Sequence, residues 1–368
     1  MVKILLTSDL HLGLKAPFPV TEEARVNTFR KIISLATEHD MLLLAGDFFD
    51  TPEPDPETAG LVAGEFQKLR RLGIDVLYTP GDRELLPGGR LPDFLLRLNT
   101  THVFADTGIA LPYRYEKEDQ TVFVYGLPAL SPIITSITRS RREGFHIGLF
   151  HAELHLGGEP AGGTVQSLQK NDIKQLNLDF FALGHKHQFR LYKSQKKVIG
   201  ACPGSPEPTA YGETGERHVL SITLEGDEIS AIRRLTVNTR TVSEGIIDCT
   251  PFRQAEELHQ AIRNFRPEGD YSRVLLTGSR SFPVDRDVLL GLEREKTGCC
   301  LQDETAPEIE ALIEENSRGD SLKSEFFSLL RDRSLSGRIP PEIASRDLSY
   351  FLNRVSPKGL YDPEDWLC

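Results

Sequence analysis

The stretch ILLTSDLHLG, residues 4–13, decides the fold. An apolar run that reads as a buried strand ends in a polar loop carrying Asp9 and His11. The pattern recurs in DMLLLAGD (40–47), IDVLYTPGD (74–82), FVYGLPAL (123–130), FHIGLFHAEL (145–154) and LDFFALGHKH (178–187). Between the first three, EARVNTFRKIISLATEH and ETAGLVAGEFQKLRRLG read as amphipathic helices. Strand–helix–strand order predicts an α/β arrangement, with parallel strands and helices packed on the sheet. KKVIGACPGS and RHVLSITLEGDEISAIRRL read as an antiparallel finish. Every polar cluster follows the C-terminal end of a strand, where α/β sheets bind ligands.

Five clusters follow in order: Asp9-Leu-His11; Gly46-Asp47-Phe-Phe-Asp50; Gly81-Asp82-Arg-Glu84; His151; and Gly184-His185-Lys-His187. Asp-x-His alone is weak, and Gly-His-x-His alone fits a pair of surface histidines. All five in this order, each after an apolar strand, form a specific signal. Residues i and i+2 of a strand point the same way, so Asp9 and His11 are expected to face one ion together, as are His185 and His187. A carboxylate can bridge two cations, which suits Asp47. Mixed imidazole and carboxylate donors suit manganese, iron or zinc rather than calcium. Two such ions can activate water and clamp phosphate oxygens. His39, His102, His146, His218 and His259 stand outside any motif and read as surface or structural. His155, four residues past His151, fits either a surface or a substrate-facing role.

The bulk properties set limits. A chain of 368 residues with 39% hydrophobic and 26% charged residues is a globular protein of two or three domains. No apolar run reaches the length of a membrane span. The N-terminus enters a strand directly, without the pattern of a signal peptide, and a cytoplasmic location is expected. Five cysteines, with Cys299 and Cys300 adjacent, argue against a disulfide framework or a structural zinc site. A net charge of −11 excludes a uniformly basic nucleic-acid coat but not a local basic groove.

Near residue 236 the texture changes. A smaller unit, roughly 241–303, shows a helix pattern in FRQAEELHQAIRNF, a clear strand in SRVLLTGS and a second helix in DRDVLLGLERE. From 304 to 368 the chain is polar and helical. SLKSEFFSLLRDRS and RDLSYFLNRV each place apolar residues along one face. These helices fit either packing on their own domain or docking on a partner.

The clusters together resemble the calcineurin-like metallophosphoesterase superfamily. More closely, ILLTSDLHLG, GDFFD and CPGSPEPTAYGETGERHVLSITL are similar to the SbcD-type DNA repair exonucleases, whose partner is an SbcC-type coiled-coil ATPase. The resemblance covers residues 1–235. It implies an α/β (α+β) fold: a two-sheet sandwich flanked by helices, with a small α/β cap at 241–303 that contacts DNA and a helical tail at 304–368 that docks the ATPase. It implies two divalent metal ions, manganese first, with iron, zinc or magnesium as alternatives. One ion would be held by Asp9, His11, Asp47 and His187, and the other by Asp47, Asp82, His151 and His185. It also implies a homodimer acting on DNA.

YTPGDRELLP (78–87) departs from the family, which has Gly-Asn-His there. Asp82 in place of asparagine keeps an oxygen donor and adds a negative charge. Arg83 in place of histidine cannot protonate a leaving oxygen at neutral pH, but it can hold phosphate oxygens bidentately. It can equally pair with Glu84, Asp82 or Asp50. Arg83, Asp50 and Glu84 are the candidate catalytic residues, with Asp50 also able to orient His11. Candidate DNA contacts are Arg139, Arg141 and Arg142, then Lys186, Arg190, Lys193, Lys196 and Lys197. Three functions follow: a DNA exo/endonuclease, slow for want of its acid; a nuclease-inactive subunit binding DNA ends or the ATPase; or a small-substrate phosphodiesterase.

Overall fold

The computed structural model describes residues 1–15, 20–106, 111–156, 167–266, 268–280, 282, 286–295, 298–307 and 328–329. The chain divides into two compact units, Met1–Thr241 and Val242 onward. The first runs β1 (Val2–Thr7), α1 (Glu22–Ala36), β2 (Met41–Ala45), α2 (Pro56–Arg71), β3 (Asp75–Thr79), α3 (Asp93–Leu96), β4 (His102–Val103), β5 (Tyr113–Lys117), β6 (Gln120–Gly126), α4 (Ile133–Ser136), β7 (Phe145–His151), β8 (Glu153–His155), β9 (Ser167–Gln169), α5 (Lys170–Leu176), β10 (Phe180–Gly184), β11 (Arg190–Ser194), β12 (Lys197–Cys202), β13 (His218–Glu225) and β14 (Glu228–Thr236).

Two six-stranded sheets result, in the orders β14-β13-β1-β2-β3-β4 and β11-β12-β10-β7-β6-β5. Each has four parallel strands with antiparallel strands at its edges. Strand periodicity sorts the apolar residues into layers. Ile4, Leu6, Met41, Leu43 and Leu77 pack between the sheets against Val124, Ile147, Leu149 and Ala182. Their neighbours Leu5, Leu42, Leu44, Val76 and Tyr78 turn outward under α1 and α2, against Phe29, Phe66 and Leu69. On the outer side of the second sheet, Phe150, Phe181 and Leu183 pack with Ile133 of α4 and Leu176 of α5. The fold is therefore a two-sheet sandwich flanked by helices. Each fully buried side chain contributes about 1.5–3 kcal/mol, and the strands, apolar on both faces, read as continuous runs.

The helices start where their caps dictate. Thr21 accepts from Ala24 N (3.3 Å) at α1. Asp55 accepts from Glu57 N and Thr58 N (3.1 and 2.9 Å) at α2, with Pro56 in the first turn. One strand differs from the sequence reading. KKVIGACPGS is antiparallel to β11 on one side only, and on the other it runs parallel to β10, with Ala182 opposite Ala201. Its small residues Ala201 and Cys202 have no exposure, which seats β12 inside the sheet rather than at an edge.

The second unit comprises β15 (Val242–Asp248), α6 (Ala255–Asn264), β16 (Tyr271–Thr277), β17 (Ser279–Arg280), α7 (Arg286–Glu295), β18 (Cys299–Asp303) and β19 (Ala306–Pro307). Strands β15, β16 and β18 form a parallel sheet, and Leu258 and Ile262, one turn apart on α6, share a core with Val274, Leu276 and Leu292. Two of its strands went unread because VSEGIID and CCLQD lack a clean apolar alternation. The helices read at 321–334 and 346–355 lie outside the described residues, apart from Ser328 and Leu329, which are helical. Among the described residues, no helix is long and apolar enough to cross a membrane.

Candidate metal centre

Strands β1, β2, β3, β7 and β10 all end at one edge of the sandwich, and the polar clusters lie on or just past those ends. Asp9 and His11 do not continue the strand. Each has left-handed backbone (φ 53° and 51°), as do Asp47 (48°) and His185 (82°). Of the eight non-glycine residues with positive φ among those described, four are candidate ligands. Such conformations cost about 1–3 kcal/mol each and concentrate at functional sites. The i, i+2 strand argument is thus corrected: backbone turns, not the pleat, aim these side chains. The turns are held by reciprocal bonds. Asp9 N donates to Gly46 O (3.0 Å), His11 N to Asp47 O (3.1 Å), Leu12 N to Phe48 O (2.9 Å) and Asp50 N to Leu12 O (3.0 Å). A Cβ at Gly46 or Gly184 would fall on the His151 ring, so both glycines are required for the loops to close around it.

Seven side chains converge. Donor atoms lie within 4.8 Å of one another in three overlapping groups: Asp9, His11 and His187; Asp82, His151 and His185; and Asp9, Asp47 and His151. Asp9 and His151 link the groups, so the constellation is continuous. His185 and His187 fall in different groups, against the expectation that they face one ion.

The hydrogen bonds show what this set accepts. His11 Nδ1 meets Asp50 Oδ1 (2.9 Å), and His187 Nδ1 meets Glu213 Oε1 (2.6 Å) and Thr209 Oγ1 (2.8 Å). With Nδ1 donating in each neutral ring, both Nε2 atoms carry bare lone pairs, and they face each other at 3.2 Å. His151 Nδ1 donates to Ala45 O (2.9 Å), leaving its Nε2 lone pair against Asp82 Oδ1 (3.0 Å) and Asp47 Oδ2 (3.4 Å). Lone pairs converge with no donor between them. Only positive charge stabilises such a set, as protons on the rings or as metal cations, and imidazole plus carboxylate is the donor chemistry of transition metals. The same field acts on the rings. Burial disfavours a charged His151, but Asp47, Asp82 and Asp9 outweigh it and carry its pKa well above the usual value. The bond to His151 holds Asp82 down at about 2.

Asp50, read as catalytic, braces His11 from behind. Glu84, also read as catalytic, is corrected. It has no exposure, and its two oxygens accept from Asp47 N (3.1 Å), Phe49 N (2.8 Å), Gly81 N (2.7 Å) and the Tyr78 hydroxyl. It clamps the loops after β2 and β3 together and cannot reach a substrate. Burial and the nearby Asp47 push its carboxyl up to about 7. Arg83 pairs with none of the three acids considered. Its backbone N–H bonds Asp47 Oδ1 (3.0 Å), while its exposed guanidinium has no hydrogen bond or ion pair among the described residues.

Several supporting residues were not read from sequence. Glu213 is buried and bonds His187, Ser205 and Thr209. Burial raises its carboxyl, but these bonds, His187 foremost, bring it down to about 2. Arg217 spans Ser205 O (2.9 Å) and His187 O. Glu153 lies 3.5 Å from His185 Nε2 and 2.5 Å from Lys186 Nζ. The quoted similarity at 202–224 was the only signal for the first two, and none pointed to Glu153. Of the proposed DNA contacts, Lys186 and Arg190 are at the metal-centre end. Lys193, Lys196 and Lys197 follow the β11–β12 hairpin to the other end, and Arg139, Arg141 and Arg142 precede β7 at that same far end.

A family model described as calcineurin-like phosphoesterase matches residues 2–189, which hold all seven converging side chains. The chain belongs to the calcineurin-like phosphoesterase family. Among curated members, it is 25% identical over 242 residues to an uncharacterized metallophosphoesterase, YhaO, of Bacillus subtilis, covering 61% of this chain and 57% of that one. It is 42% identical over 320 residues to the double-strand break repair protein MRE11 of Coprinopsis cinerea (67% and 43% covered). It is 25% identical over 232 residues to the DNA double-strand break repair protein Mre11 of Methanopyrus kandleri (56% and 49% covered). The chain spans about half the length of the curated relatives it matches.

Proposed function

We propose that the chain is a two-metal, manganese-dependent DNA nuclease, the phosphodiesterase subunit of an SbcCD-like repair complex. The observation that carries this reading is the convergence of seven metal-type donors beside an exposed, unpaired guanidinium. Asp9, His11, Asp47 and His187 would hold one ion, and Asp47, Asp82, His151 and His185 the other. Two divalent cations supply Lewis acidity toward phosphate oxygens and lower the pKa of bound water. The chain's own groups do the rest. Asp50 and Glu213 fix the tautomers of His11 and His187. Arg83, tied through its backbone to Asp47, holds the phosphate oxygens and offsets charge that develops on them. It releases no proton at neutral pH, so the leaving oxygen is protonated by solvent and turnover is slow. Lys186 and Arg190 contact the flanking backbone. The relatives named as double-strand break repair proteins support DNA as the substrate. The cap at 241–303 then contacts DNA, the tail at 304–368 docks an SbcC-like ATPase, and the chain acts as a homodimer.

Arg83 also favours a second reading, in which the metals remain but cutting is lost and the chain holds DNA ends. Cleavage of end-labelled duplex in manganese separates the two, with wild type and Arg83→His side by side, metal content measured for each, and bis(p-nitrophenyl) phosphate as a small substrate. The nuclease reading predicts that wild type cuts and that Arg83→His cuts about 10²–10⁴-fold faster, the usual range for a restored general acid. A metal-loaded wild type that is inert, beside a cutting Arg83→His, selects the second reading. Hydrolysis of the small ester without DNA cleavage by either contradicts both.

A further inference from the structure

The parallel strands of the second sheet bring His151 and Gly184 to the metal centre, and their other ends begin at a different surface. β7 is seven residues long, so the loop before Phe145 lies about 20 Å from His151 at ~3.3 Å per residue. That loop carries Arg139, Arg141 and Arg142, and with Asn177 and Asp227 it lines an open cavity of about 650 Å³.

The loop is held from beneath by buried polar groups that take no part in the metal centre. The Tyr125 hydroxyl accepts from Ser140 N (2.8 Å) and donates to His146 Nδ1 (2.9 Å). With Nδ1 accepting, His146 carries its proton on Nε2 and donates it to Arg142 O (3.2 Å). Both side chains have no exposure, and His146 stacks on Phe123 (4.7 Å). Asp179 accepts from His146 N (2.9 Å) and pairs with Arg139 (3.0 Å), which also bonds Asn177 O. Arg139 is thereby a fixed wall. Arg141 and Arg142 are exposed, and their guanidinium groups have no hydrogen bond or ion pair among the described residues. A fully satisfied buried network rigidifies whatever it holds, and here it holds two free guanidiniums on one short loop. Glu143 and Asp227 also line the cavity, and three arginines leave the lining net positive.

We propose that this cavity is a phosphate-binding site, with Arg141 and Arg142 gripping the oxyanion. Its distance from the metal centre means that the phosphate held here is not the one hydrolysed. The chemistry fits a backbone phosphate of duplex DNA or the phosphates of a free nucleotide. Lys193, Lys196 and Lys197, exposed at the same end of the sheet and unpaired among the described residues, favour the extended polyanion. That choice rests on the nuclease reading, whereas the phosphate site itself does not.

The test uses the full manganese-loaded chain with Arg141→Glu/Arg142→Glu and, as a milder pair, Arg141→Gln/Arg142→Gln. Binding of a fluorescent duplex is followed by anisotropy across salt, and binding of pyrophosphate by calorimetry. Hydrolysis of bis(p-nitrophenyl) phosphate reports on the metal centre. Both double variants are expected to fold and to hydrolyse the small ester as wild type does. Duplex affinity falls about tenfold or more in the Glu pair, and the log–log salt slope drops by about 2, one per lost phosphate contact. A loss of pyrophosphate binding with duplex binding unchanged assigns the site to a free phosphate ligand. Unchanged binding of both probes in both pairs overturns the proposal. If wild type hydrolyses nothing yet its duplex binding needs these arginines, the nuclease reading fails and the site stands.

Discussion

The two halves of the metal centre are built differently. Around His11 and His187 every ring is braced by a carboxylate: Asp50 behind one, Glu213 behind the other, and Glu213 itself fixed by Ser205, Thr209 and Arg217. Around Asp82 and His185 the support is thinner. His151 leans on a backbone carbonyl, Asp82 keeps 38% of its side chain exposed, and His185 has only Glu153 at 3.5 Å. The difference teaches that one ion is to be held by a preorganised cage and the other at a more open position beside Arg83, where a phosphate enters. Metal chemistry of this kind needs such an open position.

Four substitutions or conditions break or sharpen that contrast. The largest effect is expected from Glu84→Gln, because Glu84 serves both halves. The amide turns a donor toward backbone N–H groups, leaving buried donors unpaired at a cost of about 3 kcal/mol. Thermal unfolding should move down by about 5–10 °C, and both ions should weaken together. Loss of one ion alone would mean that Glu84 does not join the two loops. Glu213→Gln comes next. It should weaken the tightly held ion about 10–100-fold, the usual effect of removing a ligand's hydrogen-bond partner, and leave the other nearly unchanged in a manganese titration. Glu153→Gln should act on the open half only and by less than about tenfold, since its bond to His185 is long. Equal effects of the two substitutions would erase the contrast. The smallest effect is on acid stability of the metal-free chain. Glu213 titrates at about 2 when folded, against its ordinary 4.5. Its bonds therefore stabilise the fold above about pH 4.5, and that contribution is lost as pH falls toward about 2. Glu213→Gln should flatten unfolding-against-pH curves in this window, and an unchanged slope would assign the acid sensitivity elsewhere.

Much of this was legible because strand and chemistry are adjacent in the chain. Ile4–Leu6, Met41–Ala45 and Phe180–Gly184 are apolar on both faces, and the polar residues that follow them can only emerge at the sheet edge. What was not legible depends on the third dimension. Asp9, His11, Asp47 and His185 adopt left-handed backbone that no spacing rule encodes. Glu84 and Arg83 are neighbours with opposite fates, one without exposure and one in solvent, and only the loop's 3-10 turn at Asp82–Glu84 decides which faces in. Glu213 and Glu153 reach histidines 26 and 32 residues away, respectively, contacts that a single sequence does not display. The basic run at Arg139–Arg142 was legible as charge but not as a place, and its position opposite the metal centre follows from the direction of β7.

The most direct test is the electron paramagnetic resonance spectrum of the purified chain titrated with manganese(II), for wild type and Asp47→Ala. Two carboxylate-linked ions in close contact give a spin-coupled spectrum, unlike that of isolated manganese. Two ions per chain with a coupled spectrum in wild type, collapsing in Asp47→Ala, is the predicted result. A single isolated manganese signal in wild type, or coupling that survives Asp47→Ala, would contradict a dinuclear centre joined through Asp47.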